Sequence, residues 1–105
     1  MFSFLRSIFA RKGPSIQDLL TEGALVVDVR TPSEFRTGHG TESENIPLQS
    51  LQNNINSLKK QNKVVVTCCA SGMRSAKAAK WLRQAGIEAH NGGSWQTVER
   101  LRRPQ

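Results

Sequence analysis

The stretch VVVTCCASGMRSAKAAKWL, residues 64–82, joins the pattern of a buried strand to that of an alanine-rich helix. Its β-branched run predicts a strand over residues 63–67, because such side chains favour the pleated backbone. The alanine-rich part predicts a helix over residues 75–85, stopped by a glycine. Two adjacent cysteines, Cys68 and Cys69, lie where the strand gives way to the helix. A strand that leads directly into a helix indicates an α/β fold.

Strand and helix signals alternate along the rest of the chain. ALVVDV, residues 24–29, is a nearly continuous apolar run that is typical of a buried parallel strand. Residues 15–18 predict the cap of a short helix, and residues 31–34 (TPSE) combine a capping box with a first-turn proline. A helix around residues 51–60 and a short strand near residues 87–90 complete the series. The order predicts an α/β fold with a parallel sheet between helices.

Length and composition limit the classes of protein to consider. At 105 residues the chain is most simply one domain with a single apolar core. Fifteen Lys and Arg against eight Asp and Glu give a formal net charge of +7, which favours anionic partners. The basic residues lack the aromatic interleaving and the basic recognition helix of nucleic-acid-binding proteins. No nucleic-acid partner is therefore predicted.

The first residues differ from the rest, and we expect residues 1–13 to form an amphipathic segment ahead of a domain over residues 14–105. Phe2, Leu5 and Phe9 recur at helical spacing. An arginine interrupts the apolar residues, which is unlike a signal peptide, and the segment is too short to span a bilayer. Two interpretations stay open: a helix packed on its own domain, and a helix that contacts a membrane surface or a partner.

The two cysteines indicate free thiols in a reducing compartment. Adjacent cysteines rarely pair, because their short separation forces a strained ring. The two histidines, His39 and His90, lack zinc-ligand spacing to either cysteine, so no metal is predicted. We accordingly expect a cytoplasmic protein, with membrane association through the N-terminal segment as an alternative.

The carboxyl ends of the predicted strands carry the candidate site, since ligands of parallel α/β sheets bind at that edge. Asp28 and Arg30 follow one strand, and residues 68–74 follow another. The small residues 70–72 allow backbone amides to converge on one point, and the N-terminus of the next helix adds positive potential. A cysteine at this point should have a lowered pKa and be a thiolate near neutrality.

The register of the loop separates two reactions. Four residues lie between Cys69 and Arg74, whereas five lie between Cys68 and Arg74, which is the C-x5-R-S spacing of cysteine phosphatases. A phosphoryl group brings three oxygens to be bound, so its loop must be wider than one that holds a single additional sulfur. Cys69 therefore indicates sulfur chemistry, and Cys68 would indicate a phosphatase or an arsenate reductase.

The chain resembles the rhodanese-like sulfurtransferases, whose active loop is commonly C-x-x-G-x-R-S. The residues that match this loop are Cys69, Gly72, Arg74 and Ser75. DVRTPSEFRTGH, residues 28–39, is similar to the family's D-V-R-x-x-x-E-[YF]-x-x-G-H motif. Asn45-Ile46-Pro47 and Gly92-Gly93 with Trp95 add weaker matches, and the resemblance covers residues 15 to about 100. The chain departs from the pattern at residues 40–43, where GTES replaces the usual Ile-x-Gly-Ala.

This resemblance implies a three-layer fold, with a parallel sheet of four or five strands and helices on both faces. It implies a thiosulfate sulfurtransferase that forms a persulfide on Cys69. The implied binding loop comprises Ala70, Ser71, Gly72, Met73, Arg74 and Ser75. Asp28 and Arg30 are expected to support the site rather than perform chemistry.

The expected mechanism is a double displacement without metal or cofactor. A small anionic donor such as thiosulfate gives its outer sulfur to Cys69, and cyanide, a thiol or an acceptor protein removes it. Arg74 is a candidate to bind an incoming oxyanion in a bidentate manner. A non-catalytic interaction module of the same fold and a phosphatase that uses Cys68 are the competing hypotheses.

Overall fold

The computed structural model describes residues 13–103 and shows one parallel sheet between two layers of helices. The elements in chain order are α1 Ile16–Thr21, β1 Leu25–Asp28, α2 Pro32–Arg36, β2 Glu44–Asn45, 3-10 turns at Leu48–Ser50 and Gln52–Asn54, α3 Ile55–Gln61, β3 Val65–Cys69, α4 Met73–Gln84, β4 Ala89–Ser94 and α5 Trp95–Arg102. The predicted amphipathic segment lies outside the described residues, so its structure and the domain boundary stay predictions. None of the helices in the described part of the chain has the length and apolarity needed to cross a bilayer.

Within residues 13–103 the sheet has four strands in the order β2-β1-β3-β4, and all three strand pairs are parallel. This confirms the predicted α/β class and the four-stranded alternative. Because the strands are parallel, their carboxyl ends meet at one edge. Asp28 at the end of β1 is directly opposite Cys68 near the end of β3.

Apolar side chains cover both faces of the sheet, because successive residues of a strand point to opposite sides. One face packs against α3 and α4, and its buried core includes Val27, Val65, Cys69, Leu58, Ala78 and Leu82. The other face packs against α1 and α5, and its core comprises Leu19, Val26, Val66, Cys68 and Val98. The two cysteines therefore belong to different cores.

The start of α2 has the capping box that the sequence predicted. The Thr31 hydroxyl accepts a hydrogen bond from the Glu34 amide at 3.2 Å, and the Glu34 carboxylate accepts one from the Thr31 amide at 2.9 Å. Pro32 occupies the first turn, where its missing amide hydrogen has no cost. The same cap fixes the Glu34 side chain at the carboxyl edge of the sheet.

Several element bounds differ from the sequence prediction. Strand β3 extends through both cysteines, and α4 begins two residues earlier than predicted. Strand β4 continues to Ser94, and β2 and α5 were not predicted. The glycines in β4 resemble a turn in sequence, but a Cβ on Gly92 would lie only 2.6 Å from Val98. Glycine is thus required there by the close approach of α5.

The segment in which the sequence departs from the family pattern is held by α5. The Glu99 carboxylate accepts hydrogen bonds from the Thr41 amide at 2.9 Å and the Thr41 hydroxyl at 2.7 Å. These bonds, led by that from the hydroxyl, lower the pKa of Glu99. The turn over residues 40–43 is therefore anchored at Thr41.

Candidate active site

The Cys69 sulfur lies at the carboxyl end of β3 and faces the N-terminus of α4. Its Sγ accepts a hydrogen bond from the Gly72 amide at 3.0 Å and one from the Ser75 amide at 3.4 Å. The Ser75 hydroxyl lies 3.3 Å from the same sulfur. The side chain is only 1% exposed, so the sulfur sits in a ring of donors rather than on an open surface.

These donors change the acidity of Cys69. Burial alone would raise the pKa of the thiol, because it disfavours the charged form. The hydrogen bond with the Ser75 hydroxyl and those from the amides of Ser75, Gly72 and Ser71 act in the opposite direction. The pKa of Cys69 is consequently held below its ordinary value of 9.0, which favours the nucleophilic thiolate.

The conformation of the loop depends on Gly72, the residue before α4. Its φ of +103° lies in the region that favours glycine. A Cβ at this position would also lie 3.4 Å from the Gly93 Cα in β4. Ala70, Ser71 and Met73 are exposed around it, and Met73 is 81% exposed. Gly72 therefore lets the chain turn tightly enough to aim its amide at the sulfur.

Asn91 in β4 is a site residue that sequence reasoning missed. Its Oδ1 accepts hydrogen bonds from the Ser75 hydroxyl at 2.6 Å and the Gly93 amide at 3.0 Å. Its Nδ2 donates to the Gly72 carbonyl at 3.1 Å. Asn91 thus ties the loop and the first turn of α4 to β4. Its position just before the matched Gly92-Gly93 pair was the available signal.

Cys68 points away from the loop. Its side chain packs with the α1 and α5 core, among Leu19, Val66 and Val98. Burial, followed by the charge of Asp28, raises the pKa of Cys68 to about 12. The spacing from Cys68 to Arg74 matches that of a phosphatase loop, but the Cys68 sulfur does not lie at the centre of that loop.

Arg74 forms a bidentate ion pair with Glu34. The two terminal nitrogens of Arg74 donate to the two carboxylate oxygens at 2.8 and 3.0 Å. The hydrogen bond from Arg74, followed by that from the Thr31 amide, lowers the pKa of Glu34 to about 2. The same pairing raises the pKa of Arg74. The guanidinium edge that was expected to bind an incoming oxyanion is therefore occupied by a carboxylate.

Asp28 and Arg30 form a buried ion pair, with Arg30 Nη2 2.7 Å from an Asp28 oxygen. Arg30 also donates to the carbonyls of Glu34 at 3.2 Å and Gly38 at 2.8 Å, and its guanidinium lies 5.0 Å from the Trp95 ring centroid. Asp28 is opposite Cys68, so the pair lies on the side of the sheet away from the Cys69 sulfur. It braces the segment that carries Glu34.

His39 lies outside this arrangement. Its ring stacks on Phe35 with 3.7 Å between centroids, and its Nδ1 is 2.7 Å from the Phe35 carbonyl. These contacts attach it to the end of α2. Within residues 13–103, no group of three or more His, Cys, Asp or Glu side chains could hold a metal ion.

Known proteins resemble the chain over most of its length. A family model described as a rhodanese-like domain matches residues 14–96. The uncharacterized protein YqhL of Bacillus subtilis is 40% identical over 63 residues, which are 60% of this chain and 49% of that protein. A protein named sulfurtransferase from Allochromatium vinosum is 35% identical over 66 residues, 63% of this chain and 61% of that protein. The chain thus spans less than two thirds of either relative.

A solved structure shares the fold. The crystal structure of a rhodanese-like domain protein from Staphylococcus aureus superposes with a TM-score of 0.65 and 34% sequence identity. The match covers 72% of this chain and 74% of that one.

Proposed function

Because the chain belongs to the rhodanese-like domain family, we propose that it is a sulfurtransferase that carries sulfane sulfur as a persulfide on Cys69. The observation that carries this proposal is the set of polar groups around one sulfur: two amide donors and the Ser75 hydroxyl lie within 3.4 Å of Cys69 Sγ. Relatives named sulfurtransferases, including the one from Allochromatium vinosum, support the same class of reaction.

The first half-reaction transfers sulfur to the protein. The Cys69 thiolate attacks the outer sulfur of thiosulfate, a new sulfur–sulfur bond forms, and the sulfur–sulfur bond of thiosulfate breaks. Sulfite leaves with the bonding electron pair, so no proton is transferred and no base is needed. The amides of Gly72 and Ser75 already stabilise the thiolate, and we assign to the loop amides the same role for the terminal persulfide sulfur.

The second half-reaction restores the thiolate. A nucleophile such as cyanide, a thiol or the thiol of an acceptor protein attacks the terminal sulfur of the persulfide. The sulfur–sulfur bond breaks, Cys69 leaves as its thiolate, and the acceptor carries the sulfur away. This double displacement uses no cofactor and suits a reducing compartment, so we include a cytoplasmic location in the proposal.

The geometry of Cys68 argues against the phosphatase alternative. A phosphatase needs a thiolate at the centre of its loop, whereas the Cys68 side chain is packed among Leu19 and Val98 on the other side of the sheet. Its pKa, raised to about 12, also disfavours a thiolate at neutral pH. The non-catalytic alternative has no comparable support, since the donors around Cys69 are in place.

Intact-mass spectrometry after incubation with thiosulfate tests the proposal. We expect the protein to gain the mass of one sulfur atom and to lose it on addition of cyanide, with thiocyanate as product. The Cys69→Ala variant is the control and should gain nothing. A wild-type protein that gains no sulfur from thiosulfate or from a persulfide would overturn the proposed function.

A further inference from the structure

Within residues 69–75, the loop that surrounds the sulfur has no free cation. It contains one cationic side chain, Arg74, and both of its terminal nitrogens donate to Glu34. Glu34 is fully ionised at neutral pH, since its pKa is lowered to about 2. The pair therefore has no net charge. The loop offers an arriving anion its backbone amides and the N-terminus of α4.

We propose that Glu34 selects the sulfur donor by charge, because it neutralises Arg74 and so disfavours thiosulfate relative to an organic persulfide. This inference rests on the proposed sulfur transfer at Cys69. Thiosulfate brings two negative charges to a thiolate, whereas a persulfide brings one or none. The repulsion from the Glu34 carboxylate grows with the charge of the donor. Glu34 is thus a specificity-determining residue.

The persulfide step balances without any other reactant. The Cys69 thiolate attacks the terminal sulfur of R–S–SH, and a sulfur–sulfur bond forms to Cys69. The bond between the two donor sulfurs breaks, and the electron pair leaves on R–S⁻. That thiolate takes up the proton of the transferred sulfur, which leaves a Cys69 persulfide anion and R–SH.

We assign the organic part of such a donor to a groove beside Arg74. It has a volume of about 340 Å³ and is lined by Val29, Thr31, Pro47, Leu48, Gln49, Arg74 and Trp81. Its lining is largely apolar, and it adjoins the loop at Arg74. Thiosulfate has no carbon group to place there, whereas the R group of a persulfide would bury apolar surface.

The Glu34 carboxylate is held in place independently of Arg74. One of its oxygens accepts hydrogen bonds from the Thr31 amide at 2.9 Å and the Thr31 hydroxyl at 3.2 Å, and Arg30 holds the Glu34 carbonyl. A glutamine at this position can complete the same capping box. Its amide nitrogen cannot accept a hydrogen bond, so one N–H of Arg74 would be released. Glu34→Gln therefore removes the charge and retains the cap.

The experiment compares two donors on each variant. The rate at which Cys69 gains one sulfur is measured by intact-mass spectrometry with thiosulfate and with 2-hydroxyethyl persulfide. We expect Glu34→Gln to raise the thiosulfate rate about tenfold and to change the persulfide rate less than about twofold. Any change in the acidity of Cys69 affects both donors alike and cancels in the ratio of the two rates.

Two further variants make the test specific. Glu42→Gln changes the net charge equally, but Glu42 borders a groove with Gly23 and Lys63 at the opposite edge of the sheet, so the ratio should not change. Arg74→Gln leaves the Glu34 charge unneutralised and should shift the ratio toward the persulfide. A ratio that is unchanged in both Glu34→Gln and Arg74→Gln would overturn the inference while leaving sulfur transfer intact. Failure of the wild type to gain sulfur from either donor would instead overturn the proposed function and the inference with it.

Discussion

Cys68 and Cys69 are neighbours in sequence and equally buried, yet their thiols have opposite acidities. Each side chain is 1% exposed. The pKa of Cys68 is raised to about 12, whereas that of Cys69 is lowered. Burial raises the pKa of both thiols and is the largest cause of the raised pKa of Cys68. Around Cys69, hydrogen-bond donors outweigh the effect of burial.

The alternation of side chains along β3 produces this contrast. Cys68 points toward an apolar core, and the charge that affects its pKa most is the Asp28 carboxylate, which opposes ionisation. Cys69 points toward the turn at Gly72, where backbone amides are not used in strand pairing. Two adjacent residues of one strand therefore differ in role: Cys68 is a structural thiol, and Cys69 is a candidate nucleophile.

The largest expected effect is on sulfur transfer itself. Cys69→Ala should reduce the rate of thiocyanate formation from thiosulfate and cyanide by at least about a thousandfold, because it removes the nucleophile. Cys68→Ala should retain most of the activity, since its sulfur lies on the other side of the sheet. Comparable losses in the two variants, both with wild-type circular dichroism, would contradict the assignment of roles.

A second test concerns reactivity without substrate. At pH 8 a thiol with a pKa of about 12 is ionised to roughly one part in ten thousand, whereas one below 9.0 is ionised to about a tenth or more. Iodoacetamide should therefore alkylate Cys69 in the Cys68→Ala protein about a thousandfold faster than Cys68 in the Cys69→Ala protein. Peptide mapping identifies the modified residue. Similar rates in the folded proteins would show that the two environments do not differ as described.

Removal of the Ser75 hydroxyl should bring the pKa of Cys69 closer to that of Cys68. Ser75→Ala removes the hydroxyl that lies 3.3 Å from the sulfur and should raise the pKa of Cys69. We expect the midpoint of its pH-dependent alkylation to rise, and alkylation at pH values below that midpoint to slow severalfold. Ser71→Ala is the matched control, because Ser71 contributes through its backbone amide. A midpoint that shifts equally in both variants would exclude the hydroxyl as the cause.

Much of this arrangement could be predicted from local sequence. The capping box at Thr31 and Glu34 depends on residues three apart, and the spacing to Arg74 predicts Cys69 rather than Cys68 as the nucleophile. The parallel sheet followed from the order of strand and helix signals. These features are accessible because neighbouring residues determine them.

The features that the sequence did not predict depend on contacts between segments that are distant along the chain. The pairing of Glu34 with Arg74 spans 40 residues, and it appears only once β1 and β3 lie side by side. Asn91 reaches Ser75 because β4 continues beyond residue 90, where the sequence predicted its end, and places Asn91 opposite Thr67 of β3. Helix α5 has few apolar residues, and its packing on the sheet through Val98 decides its position.

The smallest expected effect is on stability at alkaline pH. Folding raises the pKa of Cys68 from 9.0 to about 12, so below pH 9 the thiol is neutral in both the folded and the unfolded chain. Between pH 9 and pH 12 the unfolded chain releases this proton while the folded protein retains it, and the folded state loses stability as the pH rises. The loss should reach about 1.4 kcal/mol at pH 10.

Urea denaturation at pH 8 and pH 10 can isolate this contribution. Cys68→Ala should be less stable than wild type at pH 8, by about 1 kcal/mol, because it leaves a small cavity. Its free energy of unfolding should then fall about 1.4 kcal/mol less than that of wild type between the two pH values, because the titrating thiol is gone. Cys69→Ala is a control because the effect of Cys69 on stability has the opposite pH dependence. The lowered pKa of Cys69 stabilises the folded state above pH 9, and this contribution is lost as the pH falls through the folded-state pKa. If Cys68→Ala and wild type lose equal stability between pH 8 and pH 10, the Cys68 thiol is not held neutral by its environment. The pKa values of the two cysteines would then differ less than their surroundings indicate.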